Sequence, residues 1–168
     1  MEGDKKEKFT HLDQAGNPSM VDVSEKKATY RKAVAQSVVK INDKILQAFQ
    51  KDEIQTKKGP VIQTAIIAGT MAAKNTGQLI PLCHPLPLES CEFEINVEPS
   101  QKEIIILCTT AINAKTGVEM EALTGASIAA LTVYDMCKAL SHNIVISETK
   151  LMEKTGGKND FKRTSETR

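Results

Sequence analysis

The sequence predicts an α+β domain in which helices cover one face of an antiparallel sheet. Three observations lead there. Residues 30–41, 91–97 and 144–152 alternate or concentrate β-branched and apolar side chains as half-buried strands do. Residues 61–74 and 122–140 instead repeat apolar residues at intervals of three and four, the period of a helix with one buried face. The order of these segments is strand, helix, helix, hairpin, helix, strand.

Residues 1–27 carry many charges, few large apolar groups and a turn-like Gly16-Asn17-Pro18, and are expected to form an amino-terminal arm. Within it only Met20-Val21-Asp22-Val23-Ser24 has the apolar content to dock. A domain spanning 28–153 follows. In its first strand Ala33, Ala35, Ser37, Val39 and Ile41 alternate with Lys32, Val34, Gln36, Val38 and Lys40. Asn42-Asp43 caps a helix whose apolar face is Ile45, Leu46 and Phe49. Lys57-Lys58-Gly59-Pro60 breaks the chain, and Pro60 suits the first turn of the next helix. That helix lines one side with Ile62, Ala65, Ile66, Gly69, Ala72 and Ala73, small enough for close approach to a sheet or partner. Asn75-Thr76-Gly77 is expected to end it. Pro81, Pro85 and Pro87 forbid a helix and hold residues 79–88 extended. Phe93, Ile95 and Val97 alternate with Glu92, Glu94 and Asn96. Residues 98–101 are a turn, and Ile104 to Leu107 is too apolar for an edge strand. Residues 91–97 and 103–111 therefore pair as an antiparallel hairpin. The last helix buries Leu123, Ala126, Ala130, Val133, Cys137 and Leu140. A glycine- and lysine-rich tail, 154–168, closes the chain. The simplest arrangement is a ferredoxin-like β-α-β-β-α-β sheet with the helices on one face and one extra helix.

Composition narrows the function. With 22 basic and 21 acidic side chains in 168 residues there is no global field to draw nucleic acid. Two Tyr, four Phe and no Trp make a poor base-stacking platform. Cys83, Cys91, Cys108 and Cys137 show no C-x-x-C spacing, and the lysine-rich start lacks an apolar signal core. They read as reduced thiols of a soluble, cytoplasmic protein. The best apolar run, residues 65–73, is far short of a membrane span.

The chemistry concentrates in a few places. If Glu119-Met120-Glu121 is extended, both carboxylates project to one side and Met120 to the other. Asp135 and Lys138 are helical neighbours. Taken alone, these describe a capped, salt-bridged helix equally well. His84 is braced by proline between Cys83 and Pro85, which suits a positioned imidazole. Adjacent Cys83 and His84 do not make a zinc site, and no second ligand pair has workable spacing. A nucleophilic pair of His84 with Cys91, Cys108 or Cys137 stays open, although nothing marks any thiol as activated. Lys154-Thr-Gly-Gly-Lys158 lacks the full phosphate-loop pattern, yet it sets backbone N–H groups beside lysine charge; Lys57-Lys58-Gly59 does the same. Paired carboxylates, an Asp/Lys pair, a held histidine and lysines beside glycine suit acid–base rearrangement of a phosphorylated small molecule. A non-catalytic nucleotide-binding module and a cysteine hydrolase using His84 are the competing readings.

Five runs carry a resemblance. Met20-Val-Asp-Val-Ser24, Leu79-Ile-Pro-Leu-Cys-His-Pro85, Lys115-Thr-Gly-Val-Glu-Met-Glu-Ala-Leu-Thr124, Leu131-Thr-Val-Tyr-Asp-Met-Cys-Lys-Ala139 and Lys154-Thr-Gly-Gly-Lys158 resemble the molybdenum-cofactor biosynthesis protein C family, the cyclic pyranopterin monophosphate synthases. The resemblance spans about residues 10–161. It implies a lyase that takes 3′,8-cyclo-7,8-dihydroguanosine triphosphate to a pyranopterin with a cyclic phosphate and expels pyrophosphate. It implies a ferredoxin-like fold and a homohexamer built as a trimer of dimers, with each active site at a dimer interface. By the same resemblance Asp135 and Lys138 are catalytic. Leu82, Cys83, His84, Met120 and Glu121 bind substrate; Lys58, Glu119 and Lys154 line the pocket, and Arg31 stands near the phosphates. No redox cofactor or protein-held metal is implied; magnesium on the triphosphate is compatible with the chemistry.

Overall fold

Residues 15–164 are described by a computed structural model. Residues 1–14 of the expected arm and 165–168 of the expected tail lie outside the described residues. The elements are β1 (Thr29–Lys40), α1 (Asp43–Leu46), β2 (Gln55–Thr56), β3 (Gly59–Pro60), α2 (Val61–Lys74), α3 (Thr76–Leu79), β4 (Ser90–Glu98), β5 (Glu103–Ala114), α4 (Glu119–Cys137), β6 (Val145–Thr155) and β7 (Phe161–Lys162). Five strands form one sheet in the order β4-β5-β1-β6-β7, every neighbouring pair antiparallel. The α+β expectation holds. The four long strands follow the connectivity that a β-α-β-β-α-β chain requires, with β2–β3 a small separate hairpin.

Alternation along the strands decides where the helices lie. Ala33, Ala35, Ser37 and Val39 of β1 are buried, as are Ile104, Ile106, Cys108 and Thr110 of β5. Their face receives α2 and α4. Beneath the carboxy-terminal half of α4 the core holds Val39, Ile45, Ile54, Val61, Ile106 and Val133. Beneath its amino-terminal half a second cluster holds Ala33, Ala35, Cys108, Ile112, Val118 and Ala122. Ile104 to Leu107 lies on β5, between β4 and β1, as its apolar run demands.

Small residues set the helix spacing. A Cβ added at Gly69 of α2 would sit 2.5 Å from Phe93 Cζ and 2.9 Å from the Gly125 carbonyl of α4. A Cβ added at Gly125 would sit 2.7 Å from Cys108 Sγ and 3.3 Å from the Gly69 carbonyl. The helices thus cross backbone to backbone over β4 and β5. Of the residues expected on the buried face of the last helix, Ala126, Ala130, Val133 and Cys137 are buried, Leu123 is half-buried, and Leu140, also half-buried, lies in the turn beyond the end of α4 at Cys137. Glu121, Ala122, Gly125, Ala129 and Met136 complete the buried face.

Local expectations divide. Asn42 caps α1 through its side chain, accepting from Ile45 N–H at 3.1 Å. Asn75-Thr76-Gly77 ends α2 as expected, with Asn75 as its C-cap after Lys74, but by φ −103, ψ 12 rather than a left-handed residue. Thr76 Oγ1 donates to the Ala73 carbonyl at 3.0 Å, and a further turn, α3, begins there. Helix stops only at Leu79, because Pro81 pushes Ile80 into extended geometry (φ −108, ψ 109). Residues 80–83 then turn, and the extended run begins at His84. Past Thr155 the chain turns back through Gly156 (φ +83) and pairs β7 with β6. A side chain at Gly156 would run into the Tyr30 carbonyl. This turn is held by Asp160, which accepts from Gly156 N–H at 3.0 Å.

The crossing gives a test. Gly125→Val is expected to cost about 3 kcal/mol or more through overpacking against Cys108, read as a lowered urea midpoint, while Ser127→Ala two residues on changes little.

Candidate active site

Glu119 and Glu121 open α4 rather than lying on an extended segment. Gly117 ends the approach, Val118 accepts from Ala122 N–H at 3.2 Å, and carboxylates in a first turn are favoured by the helix dipole. Residues two apart on a helix point to nearly opposite sides. The expected one-sided pair is therefore split. Glu119 lies at the surface and pairs with Lys154 Nζ at 3.1 Å. Glu121 turns inward and is 3 % exposed.

A cavity of about 610 Å³ opens at this end of α4. Leu82, Cys83, His84, Glu119, Met120, Glu121 and Lys154, all expected at the site, line it. The extended chain at 84–88 supplies the imidazole, and β6 supplies Lys154, which faces Ala33 of β1. Arg31 lies alongside, its Nε donating to the Ala114 carbonyl at 3.4 Å, in a small recess shared with Glu119, Lys154 and Gly157. Among the lining residues not singled out for the site from sequence are Val21, Val23 and Lys26, and Lys158, read there only as charge beside glycine, joins them. The signal for the first two was present in the alternation of Met20-Val-Asp-Val-Ser24. That segment docks where Lys115 Nζ donates to the Ser24 carbonyl at 2.6 Å. Asp22 is held below its usual range by the Ser24 backbone N–H and then its hydroxyl, with the charge of Lys115 adding to the effect.

The second group stands at the other end of the helix. Asp135 is sixteen residues beyond Glu119, about 24 Å along the axis. Lys138 Nζ meets Asp135 Oδ1 at 2.6 Å, and Lys58 Nζ meets Asp135 Oδ2 at 2.8 Å. All three side chains are about half exposed at the mouth of a cavity of about 700 Å³ walled by Ile54, Met136 and Leu140, with Lys57 and His142 at its rim. The structure thus gathers the expected residues into two groups and does not bring those groups together within one chain.

Electrostatics sort the two ends. Lys138 and then Lys58 hold the Asp135 carboxyl down to about 2, and Asp135 in turn raises Lys138. Burial pushes Glu121 up to about 7, helped by the charge of Glu119 and opposed by the backbone N–H of Glu121 itself. In this chain Glu121 is thus a carboxyl poised to exchange a proton near neutrality. Burial, with Glu121 adding, pushes the Cys83 thiol up, so the thiol beside His84 is not activated for nucleophilic attack. Burial also takes Cys137 to about 11. Among the described residues no three His, Cys, Asp or Glu side chains converge to hold a metal ion.

Glu121 sets a pH dependence with a definite sign. Its carboxyl holds a proton in the folded chain between its ordinary 4.5 and about 7, where the unfolded chain has released it. Stability should therefore fall as pH rises through that window, by about 3 kcal/mol, and level off above it. Glu121→Gln is expected to flatten that slope in urea titrations run from pH 4.5 to 8; an unchanged slope would remove the assignment.

Comparison with known proteins gives this geometry its context. A family model described as the MoaC family matches residues 20–157. A protein of Xanthomonas campestris pv. campestris named cyclic pyranopterin monophosphate synthase is 54% identical over 154 residues, 92% of this chain and 93% of that protein. Another of that name from Lysinibacillus sphaericus is 49% identical over 152 residues, 89% of this chain and 94% of its own length. The chain is also 55% identical over 159 residues to a molybdenum cofactor biosynthesis bifunctional protein of Synechocystis sp., of which it spans 46%. The matched region contains β1 to β6 with both groups of site residues, and the chain belongs to the MoaC family.

Proposed function

We propose that the chain is a cyclic pyranopterin monophosphate synthase, a lyase of molybdenum cofactor biosynthesis. It converts 3′,8-cyclo-7,8-dihydroguanosine 5′-triphosphate to cyclic pyranopterin monophosphate and releases pyrophosphate. The observation that carries this reading is the 54% identity to a protein of that name along nearly the full length of both chains. The geometry supports it. The cavity at the start of α4 combines apolar walls from Leu82 and Met120, carboxylates that accept from guanine-type N–H groups, and cations from Lys154 and Lys158. Arg31, Lys154 and Lys58 neutralise phosphate charge. Closing the cyclic phosphate forms a bond from a substrate hydroxyl to the α-phosphorus, breaks the bond to pyrophosphate, and requires a base for the hydroxyl proton. Rearranging the ring requires protons to be moved on and off nitrogen and carbon. Asp135 with Lys138 serves these transfers once desolvated, and Glu121 has the proton affinity to take part at neutral pH. Magnesium, where present, rides on the triphosphate of the substrate. The setting is cytoplasmic, in keeping with four free cysteines. No helix among the described residues is long and apolar enough to cross a membrane.

The two groups of residues serve one reaction when two copies meet. Met120, Thr124, Ile128, Leu131, Asp135 and Lys138 recur along one side of α4. Residues 122–134 carry no charge, nor do residues 61–73 of α2. Ile67, Met71 and Leu131 are more than half exposed. A helix layer this apolar on its outer side is built to be covered. Two copies laid antiparallel there set the Glu119 end of one against the Asp135 end of the other, and three such dimers make the proposed hexamer.

Two experiments test this. Wild-type protein supplied with the cyclised triphosphate should release pyrophosphate and form the pyranopterin, and Asp135→Asn or Lys138→Ala should stop both with the fold intact by circular dichroism; binding without release would leave a nucleotide-binding module instead. Co-expressing Asp135→Asn with Glu121→Gln chains, each inactive alone, should restore about a quarter of wild-type turnover by pairing intact halves. No recovery in a verified mixed assembly would mean that each chain holds its own complete site.

A further inference from the structure

We propose that Glu53 is a positioning residue of the Asp135 site: its carboxylate ties the hairpin bearing Lys58 to the start of α2 and so sets Lys58 against Asp135. Nothing in the sequence patterns marks Glu53, and it touches neither cavity's reacting groups. Its two oxygens nevertheless take three backbone N–H groups. Oε1 accepts from Ile54 at 2.8 Å and from Ile62 at 2.8 Å, and Oε2 accepts from Gln63 at 3.2 Å. Ile62 and Gln63 lie in the first turn of α2, where the preceding Pro60 offers no side-chain cap. Glu53 therefore does from eight residues upstream what a capping residue does from the adjacent position.

The consequence is geometric. Val61 N–H donates to the Ile54 carbonyl at 3.0 Å, so chain entering and leaving β2–β3 is clamped at one point. Gln50 and Glu53 bridge on the other side, with Gln50 N–H donating to the Glu53 carbonyl at 2.8 Å. At the hairpin tip Thr56 Oγ1 accepts from Lys58 N–H at 3.1 Å and donates to the Gly59 carbonyl at 2.9 Å, and Gly59 takes φ +112. The tip is stiff and its base is tied, so Lys58 reaches Asp135 Oδ2 at 2.8 Å from a fixed origin. An exposed lysine on a loose loop would spread over many rotamers and hold such a contact weakly.

The inference rests on Asp135 taking part in turnover, but its main readout does not. The Asp135 carboxyl, faced by Lys58 and Lys138 with Lys57 and His142 at the cavity rim, is followed by NMR titration in the full chain. Lys58→Ala is expected to raise its titration point from about 2 toward 3.8. Glu53→Ala is expected to give at least half that rise and at least a tenfold loss of turnover, and the double variant should do no worse than Lys58→Ala alone. To separate positioning from helix capping, Glu53→Ala is combined with Pro60→Asp, which caps α2 without retying the hairpin. Recovered stability with Asp135 still shifted supports the proposal. An Asp135 titration unmoved by Glu53→Ala, or one restored together with stability by Pro60→Asp, overturns it. If titration follows Glu53 but the wild type forms no pyranopterin, the positioning stands and the proposed function falls. If the wild type turns over and the titration ignores Glu53, the reverse holds.

Discussion

The close crossing of α2 and α4 at Gly69 and Gly125 is the constraint on which the rest of the molecule depends. Because neither residue carries a Cβ there, the helices meet backbone to backbone beside Phe93 and Cys108, with α4 lying over β1, β5 and β6 and α2 over β4. That holds α4, unbroken from Glu119 to Cys137, as a rod over the sheet with a separate cluster of apolar side chains beneath each half. Every expected polar residue of the site then falls near one end of the rod or the other. The same economy leaves the outer side of the helix layer without charge. Helices spaced by alanine and glycine have little bulk of their own with which to cover Ile67, Met71 and Leu131. A surface of that kind loses free energy to water until something apolar is laid on it.

The ends of the rod differ in electrostatic character, and each difference has a local cause. At the start of α4 the first turn sends Glu119 outward to Lys154 and Glu121 inward, where loss of water favours its proton. At the far end Asp135 stands in solvent between two ammonium groups, which favours its charge. One helix thus holds a carboxyl that trades protons near neutrality and a carboxylate locked in an ion triad. Acid–base work by the triad requires that water be removed from around it. Covering the outer face of α4 with another chain would do that, and would also raise the strength of the interactions inside.

Loops complete both ends by devices that are short in space and long in sequence. Met20 to Ser24 returns to the Glu119 end through Lys115. The Gly156 turn brings the chain against the Tyr30 carbonyl and sets Lys158 beside the same cavity. Glu53 anchors the hairpin that carries Lys58. In each case a backbone group or a single charge fixes a segment that apolar packing alone would leave free.

By itself the chain's order of residues determined the fold class, the four long strands and two long helices, the central place of Ile104 to Leu107 and the family. Those features are written in alternation, three-and-four spacing and contiguous motifs, all of which are local. The Asp135–Lys138 contact was legible for the same reason, being one helical turn long. Tertiary structure alone decided three matters. It placed Glu119 and Glu121 on opposite sides, since both an extended and a helical reading fit that short run and the helix dipole with the buried Val118 selected the second. It turned the expected tail back at Gly156, carrying β6 to Thr155 and pairing Phe161–Lys162 with it. It also set Glu121 and Asp135 toward opposite ends of one unbroken helix, held on the sheet by contacts between residues far apart in the chain.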